Sequence, residues 1–78
     1  MIGRRVRNTG NLEPGDYGRH PADGHWYCRT PNGHLGNLSR HDVVEHEDGT
    51  ITVSPSILVS EEVEVWHGYL ERGVWRQA

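Results

Sequence analysis

Val43-Val44-Glu45-His46-Glu47-Asp48-Gly49-Thr50-Ile51-Thr52-Val53 is the stretch that decides the fold class. Asp-Gly between two β-branched runs is the strongest short-range hairpin signal, because both residues accept the positive φ that a tight reversal needs. A two-residue turn at Asp48-Gly49 sets Glu47 opposite Thr50, His46 opposite Ile51, Glu45 opposite Thr52 and Val44 opposite Val53. Side chains alternate between faces along a strand. Val44, His46, Ile51 and Val53 are therefore expected on an apolar face, and Glu45, Glu47, Thr50 and Thr52 on a wet one. Ser54-Pro55-Ser56 closes the hairpin, since Pro cannot donate to a central ladder. Ile57-Leu58-Val59 has the composition of a further short strand.

Two more hairpin signals flank this one. Upstream, His25-Trp26-Tyr27-Cys28-Arg29 runs into Thr30-Pro31-Asn32-Gly33 and returns through His34-Leu35. Pro, Asn and Gly in that order suit a type I turn followed by a left-handed residue. Downstream, Val63 to Leu70 runs into Glu71-Arg72-Gly73 and returns through Val74-Trp75-Arg76. A three-residue turn there pairs Leu70 with Val74 and Tyr69 with Trp75, leaving Trp66 and Leu70 on one side and His67 and Tyr69 on the other. The apolar phase favours Val63 and Val65 and then passes to Trp66, which predicts a bulge beside Gly68. One segment competes for helix: Ser39 and Asp42 resemble a capping box, with Leu38, His41 and Val44 at helical spacing. Val43-Val44 prefers strand.

Residues 1–24 read differently. After Arg4, Arg5 and Arg7 come Thr9-Gly10, Pro14-Gly15, Tyr17-Gly18, His20-Pro21 and Asp23-Gly24. So many turn formers leave no room for a helix. The expectation is an irregular Gly/Pro-rich N-terminal arm over 1–24, with at most one short strand near Val6, leading into a single small β domain over 25–78. The fold class expected is all-β: a small antiparallel β-sandwich or rolled sheet of about five or six short strands.

Composition bounds the function. A chain of 78 residues holds one small domain, and only 33% of them are hydrophobic, so the core is thin. There is no Phe, against 3 Trp and 3 Tyr, which asks a few large rings to fill that core. The 8 basic residues are all Arg, against 11 acids and a formal charge of −3. That balance argues against general affinity for nucleic acid, whose backbone needs a concentrated basic face. The Arg4, Arg5 and Arg7 run in front of Trp26 and Tyr27 is the one feature that favours it. Between Asp42 and Glu64 there are seven acids and no Arg, a surface for a basic partner. The longest apolar run, Ile57-Leu58-Val59, is far short of a membrane span, and no basic-then-apolar leader opens the chain. Cys28 stands alone, which excludes an intrachain disulfide. The expectation is a cytoplasmic protein with no membrane partner.

Six His and one Cys raise the question of metal. Cys28 and His34 flank the first turn, and His46 and His67 could approach from the other hairpins, but no C-x-x-C, H-x-x-x-H or H-E-x-x-H spacing supports them. No cofactor is expected; a zinc-type site built from Cys28, His34, His46 and His67, with hydrolytic chemistry, is the alternative reading. Nucleophilic catalysis has weaker signals: Ser54 and Ser56 flank Pro55, and His41 adjoins Asp42, without a strand–turn–helix elbow. No catalytic residue is assigned.

Thr30-Pro31-Asn32-Gly33, the run Glu45-His46-Glu47-Asp48-Gly49-Thr50-Ile51-Thr52-Val53-Ser54-Pro55-Ser56-Ile57, and Trp66-His67-Gly68-Tyr69-Leu70-Glu71-Arg72-Gly73-Val74-Trp75 together resemble a family of short, functionally uncharacterised bacteriophage and prophage proteins. The resemblance implies a phage or prophage origin, a compact β domain and a setting in the host cytoplasm. Some proteins of that kind look like metal binders richer in Cys than this chain. The reading taken forward is a non-enzymatic β binding module acting through protein–protein contacts, most simply as a homodimer, since a thin core leaves aromatic surface to be covered. Trp66, His67, Tyr69 and Trp75 are expected to line its binding patch, with Trp26 and His46 nearby.

Overall fold

The Asp48-Gly49 reversal is longer than its dipeptide suggests. In the computed structural model, which describes residues 1–61 and 64–78, β5 (Asp42–Glu45) and β6 (Ile51–Ser54) pair Val43 with Val53, Val44 with Thr52 and Glu45 with Ile51. His46 N–H donates to Thr50 O at 2.8 Å, and Gly49 N–H donates to His46 O at 3.0 Å. Only Gly49 takes a positive φ, 88°. This is a type I turn followed by a left-handed Gly. Asp48 favours it: its carboxylate accepts from Thr50 Oγ1 at 2.6 Å and Thr50 N at 3.0 Å, bonds that hold it below the usual carboxylate range. The register is thus one residue from the expected one, and a one-residue slip turns a strand over. Val44, expected inside, is 56% exposed, while Ile51 and Val53 are buried. Glu45 moves to the Ile51 side and meets Arg5 Nη1 at 2.6 Å on its rim.

The third hairpin departs in the opposite sense. β8 (Glu64–Glu71) and β9 (Val74–Gln77) pair Glu71 with Val74, Leu70 with Trp75 and Tyr69 with Arg76. The turn is therefore two residues, Arg72 and Gly73, both with positive φ (47° and 75°), which is the tight primed geometry. A left-handed Arg is strained, and β6 holds it there. Arg72 N–H donates to Thr52 Oγ1 and Gly73 N–H to Ile51 O, each at 3.0 Å. β7 (Ile57–Glu61) pairs with β8 in unbroken register, Ile57 to Gly68 through Glu61 to Glu64, so there is no bulge beside Gly68. Of the apolar positions expected there, Val65 points outward, and Val63 lies outside the described residues.

The first hairpin is as expected: β3 (Trp26–Arg29) and β4 (Leu35–Asn37) are joined by a turn closed by Gly33 N–H to Thr30 O and Thr30 N–H to His34 O, both 2.8 Å. Residues 39–41 form a turn and no helix.

Residues 1–24 depart most from expectation. They contribute β1 (Arg4–Arg5), a single 3₁₀ turn (Thr9–Asn11) and β2 (Asp16–Arg19). β2 lies between β1, to which it is parallel, and β3, in the sheet order β1-β2-β3-β4. The turn formers serve close approach. A Cβ on Gly18 would stand 2.5 Å from Val6 O, so a residue without a side chain lets the chain after β1 lie against β2. Arg4 forks onto the buried Asp16 carboxylate at 3.3 and 3.1 Å. The described residues thus form nine strands in sheets of four, two and three, against the five or six expected.

The sheets roll around one core. Tyr17, Cys28, Leu38, Ile51, Val53, Ile57, Trp66, Leu70 and Trp75 form it, so every sheet sends residues inward. The start of the chain closes the roll: Trp75 N–H donates to Met1 O at 2.8 Å, and Gly3 N–H to Gly73 O at 2.7 Å. The radius of gyration is 11.3 Å, against about 11.5 Å for one compact domain of this length, which leaves no protruding arm.

Candidate functional site

Alternation along β8 sends Trp66, Gly68 and Leu70 inward and Val65, His67 and Tyr69 outward. Register then sets Leu58 beside His67, Ser60 beside Val65 and Arg76 beside Tyr69. These six residues, continued by the Glu71–Val74 pair, make the outer face of the β7-β8-β9 sheet. Leu58 and Val65, diagonal neighbours on it, are 62% and 61% exposed. Its polar half is already ordered. His67 Nε2 lies 2.7 Å from Ser56 Oγ, and the His67 and Tyr69 rings are 6.3 Å apart. The Arg76 guanidinium sits 4.6 Å from the Tyr69 ring centre, with Nη2 donating to Glu71 Oε1 at 2.8 Å. Beside Tyr69 runs a groove of about 140 Å³, whose other side is Thr52 to Ser56.

Ser56 and His67 are within the reach of a nucleophile and its base. A working dyad also needs a group that orients the imidazole, and among the described residues none is hydrogen-bonded to His67 Nδ1. Both residues are on open surface, where the contact serves to fix the ring across the strand.

Of the six residues expected to line a patch, His67 and Tyr69 share this face. Trp66 and Trp75 do not: each is 3% exposed, and they meet edge to face in the core at 5.4 Å and 80°. A core without Phe takes its large rings from the inward phase of β8 and β9. Trp26 is half-buried on β3 with Arg5 5.1 Å from its ring centre. His46 is at the β5–β6 turn, Nε2 2.7 Å from Thr52 Oγ1. No known family model, curated protein or solved structure matches the chain.

The four metal candidates are likewise dispersed. His34 is 8% exposed and contacts Glu64 Oε2 at 3.0 Å, His46 and His67 have the partners just given, and Cys28 is fully buried on β3. Among the described residues no three of His, Cys, Asp and Glu gather to hold an ion. Burial pushes the Cys28 thiol up to about 12, only partly offset by a hydrogen bond from the Gly36 backbone. A thiol ligates and attacks as the thiolate. Cys28 should therefore resist a disulfide reagent such as DTNB at pH 8 in the folded protein and react fully in guanidinium. Rapid stoichiometric labelling of the folded chain would show that the thiol is not sealed in.

Leu58 and Val65 are the part of this face that sequence reading missed. The signal was present in Ile57-Leu58-Val59-Ser60: once Ile57 and Val59 fill the inward phase, an apolar Leu58 is left on the outward one.

Proposed function

We propose that the chain is a non-enzymatic β binding module acting through protein–protein contact, and that its contact surface is the outer face of the β7-β8-β9 sheet. The observation that carries this reading is the exposed diagonal of Leu58 and Val65 beside His67, Tyr69 and Arg76. Tyr and Arg are among the residue types that dominate binding energy at interfaces. Here Tyr69 is already held under Arg76, so contact orders less side chain. The strand arrangement supports the same use. β7 ends its sheet, and among the described residues no strand pairs with its far side, which leaves backbone donors and acceptors for an added strand.

The first occupant is a second copy of the chain. Leu58 and Val65 are both apolar, so a two-fold interface can set the diagonal against itself without opposing like charges. A domain of 78 residues has a thin core and gains from covering such a face. In line with the resemblance to short phage and prophage proteins, the module would act as an accessory protein in the host cytoplasm.

Native mass spectrometry and sedimentation across a concentration series test the reading. The wild-type chain should populate a dimer, and Leu58→Glu should raise the dimer dissociation constant at least about tenfold, the effect of roughly 1.4 kcal/mol, by placing a carboxylate in an apolar contact. An identical concentration dependence for the two proteins would sink it. The same spectra read bound metal, and a metal-bearing species would return attention to the histidines.

A further inference from the structure

A second surface feature lies on the opposite arm of the sequence. A pocket of about 290 Å³ is lined by Arg5, Val6, Arg7, Arg19 and Pro21. Three of the five carry guanidinium groups and none is acidic. In a chain of formal charge −3, so much charge of one sign in one cavity is a local field that an anion would relieve.

The pocket is built by the backbone. Val6 N–H donates to Tyr17 O at 2.9 Å, and the missing side chain of Gly18 lets this segment lie close, so Arg5 and Arg7 stand on a strand extension beside the end of β2. Two of the guanidinium groups are fixed by carbonyls. Arg19 Nε donates to Gly24 O at 3.0 Å, and Arg5 Nη1 to Gly49 O at 3.0 Å. Glu45 balances Arg5 at 2.6 Å. Arg7 and Arg19 have no carboxylate partner among the described residues, and Arg7 makes no hydrogen bond there either.

We propose that this pocket binds a phosphoryl group, carried by a small phosphate ester or present as the free ion. Guanidinium presents paired donors that match phosphate oxygens. Arg7 and Arg19, without carboxylate partners among the described residues, and Arg5 beside them present donors from separate positions, which suits a tetrahedral dianion, whereas one fork already satisfies a flat carboxylate. The volume exceeds what a bare phosphate fills and approaches the lower edge of small-ligand pockets, roughly 300 Å³. Val6 and Pro21 supply an apolar wall for the organic part of an ester. The net negative charge of the chain opposes a long polyanion, so a small ligand is favoured over a nucleic-acid backbone.

Amide NMR of the full chain at low ionic strength tests this with separate titrations of adenosine 5′-monophosphate, inorganic phosphate, adenosine and a short oligothymidylate. The monophosphate should give saturable shifts centred on Arg5, Val6, Arg7 and Arg19, and adenosine none. Phosphate binding more weakly at the same amides identifies an ester as the ligand; phosphate binding equally well identifies the free ion. Arg7→Gln should weaken binding about tenfold or more, the loss of one charge-assisted contact, with the melting midpoint unchanged because Arg7 supports nothing in the fold. Arg7→Lys should keep part of the affinity. The proposal is overturned if the monophosphate gives no saturable shifts, if adenosine matches it, if Arg7→Gln binds like wild type, or if only the oligothymidylate binds, which would assign the pocket to nucleic acid.

Discussion

Trp75→Ala is expected to lower the free energy of unfolding by about 3–5 kcal/mol, the usual cost of deleting a buried large aromatic ring. A domain of this length has a total stability on the order of 4–12 kcal/mol, so the loss is about a quarter of the whole or more. The size of the effect follows from what Trp75 joins. Its ring meets Trp66 edge to face. Its Nε1 donates to Gly15 O at 2.9 Å, in the loop before β2, and its backbone exchanges hydrogen bonds with Met1. Trp75→Phe separates these contributions. Gly15 O still accepts from Arg4 N–H at 3.2 Å, so it is not orphaned, and loss of the indole donor should cost about 1–2 kcal/mol. Urea unfolding followed by far-UV circular dichroism gives both numbers. Hydrogen exchange adds the location: in Trp75→Phe the amides of Gly3 and Arg4 should exchange faster than those of β5 and β6. A loss under about 1 kcal/mol for Trp75→Ala would mean that the indole is not the joint described.

The turns show how far local sequence reaches in this chain. Thr30-Pro31-Asn32-Gly33 was readable because Pro31 and Gly33 set the backbone themselves. The other two turns have lengths that differ from the expected ones in opposite senses and for different reasons: the third depends on partners remote in sequence, the second on a side-chain contact two residues away. Thr52 Oγ1 and Ile51 O receive the Arg72 and Gly73 N–H groups, which allows a two-residue reversal where three were expected. In the second hairpin the Asp48–Thr50 bonds favour a type I turn over the primed one. Each slip of one residue reassigned a strand's faces, which is how Val44 came out and Glu45 reached Arg5. β2 was hidden for a related reason. Asp16-Tyr17-Gly18 carries a charge, a lone ring and a Gly, and becomes strand only because β1 and β3 flank it.

The two candidate surfaces were legible to different depths. His67 and Tyr69 share an outward phase under any unbroken strand, so alternation alone placed them together. Trp66 and Trp75 were included for their chemistry, whereas the need for rings in a Phe-less core claims them first. Of the arginine pocket only the Arg5 and Arg7 run stood out in the sequence, and its meeting with Arg19 did not. Arg7 and Arg19 are brought together by a parallel β1–β2 pairing, and a parallel neighbour across a loop of turn formers leaves no local periodic signal.

Gly68→Ala should destabilise the fold by about 2–3 kcal/mol, at the upper end for adding one methyl to a packed core. Gly68 has no positive φ, so its backbone suits any residue. Considered by conformation alone, alanine would stabilise by about 0.4–1 kcal/mol through the unfolded chain. A net loss therefore isolates the steric cost. A Cβ there would run into Cη2 of Trp66, would lie 2.8 Å from its Cζ2, and would stand 2.5 Å from Arg76 O. The indole cannot swing away freely, because Trp75 packs against it, and the carbonyl belongs to a strand in register with Gly68. The strain should appear first in the indole pair. Near-UV circular dichroism of Gly68→Ala is expected to lose much of the tryptophan signal while the far-UV spectrum persists, and the urea midpoint should fall. The pairing Trp66→Phe with Gly68→Ala checks the mechanism, since the smaller ring vacates the space. The double variant should lose less than the sum of the single losses, by about 1 kcal/mol or more, as expected for residues in contact. Additive losses would place the clash elsewhere and remove the reason offered for a glycine in the middle of the longest strand.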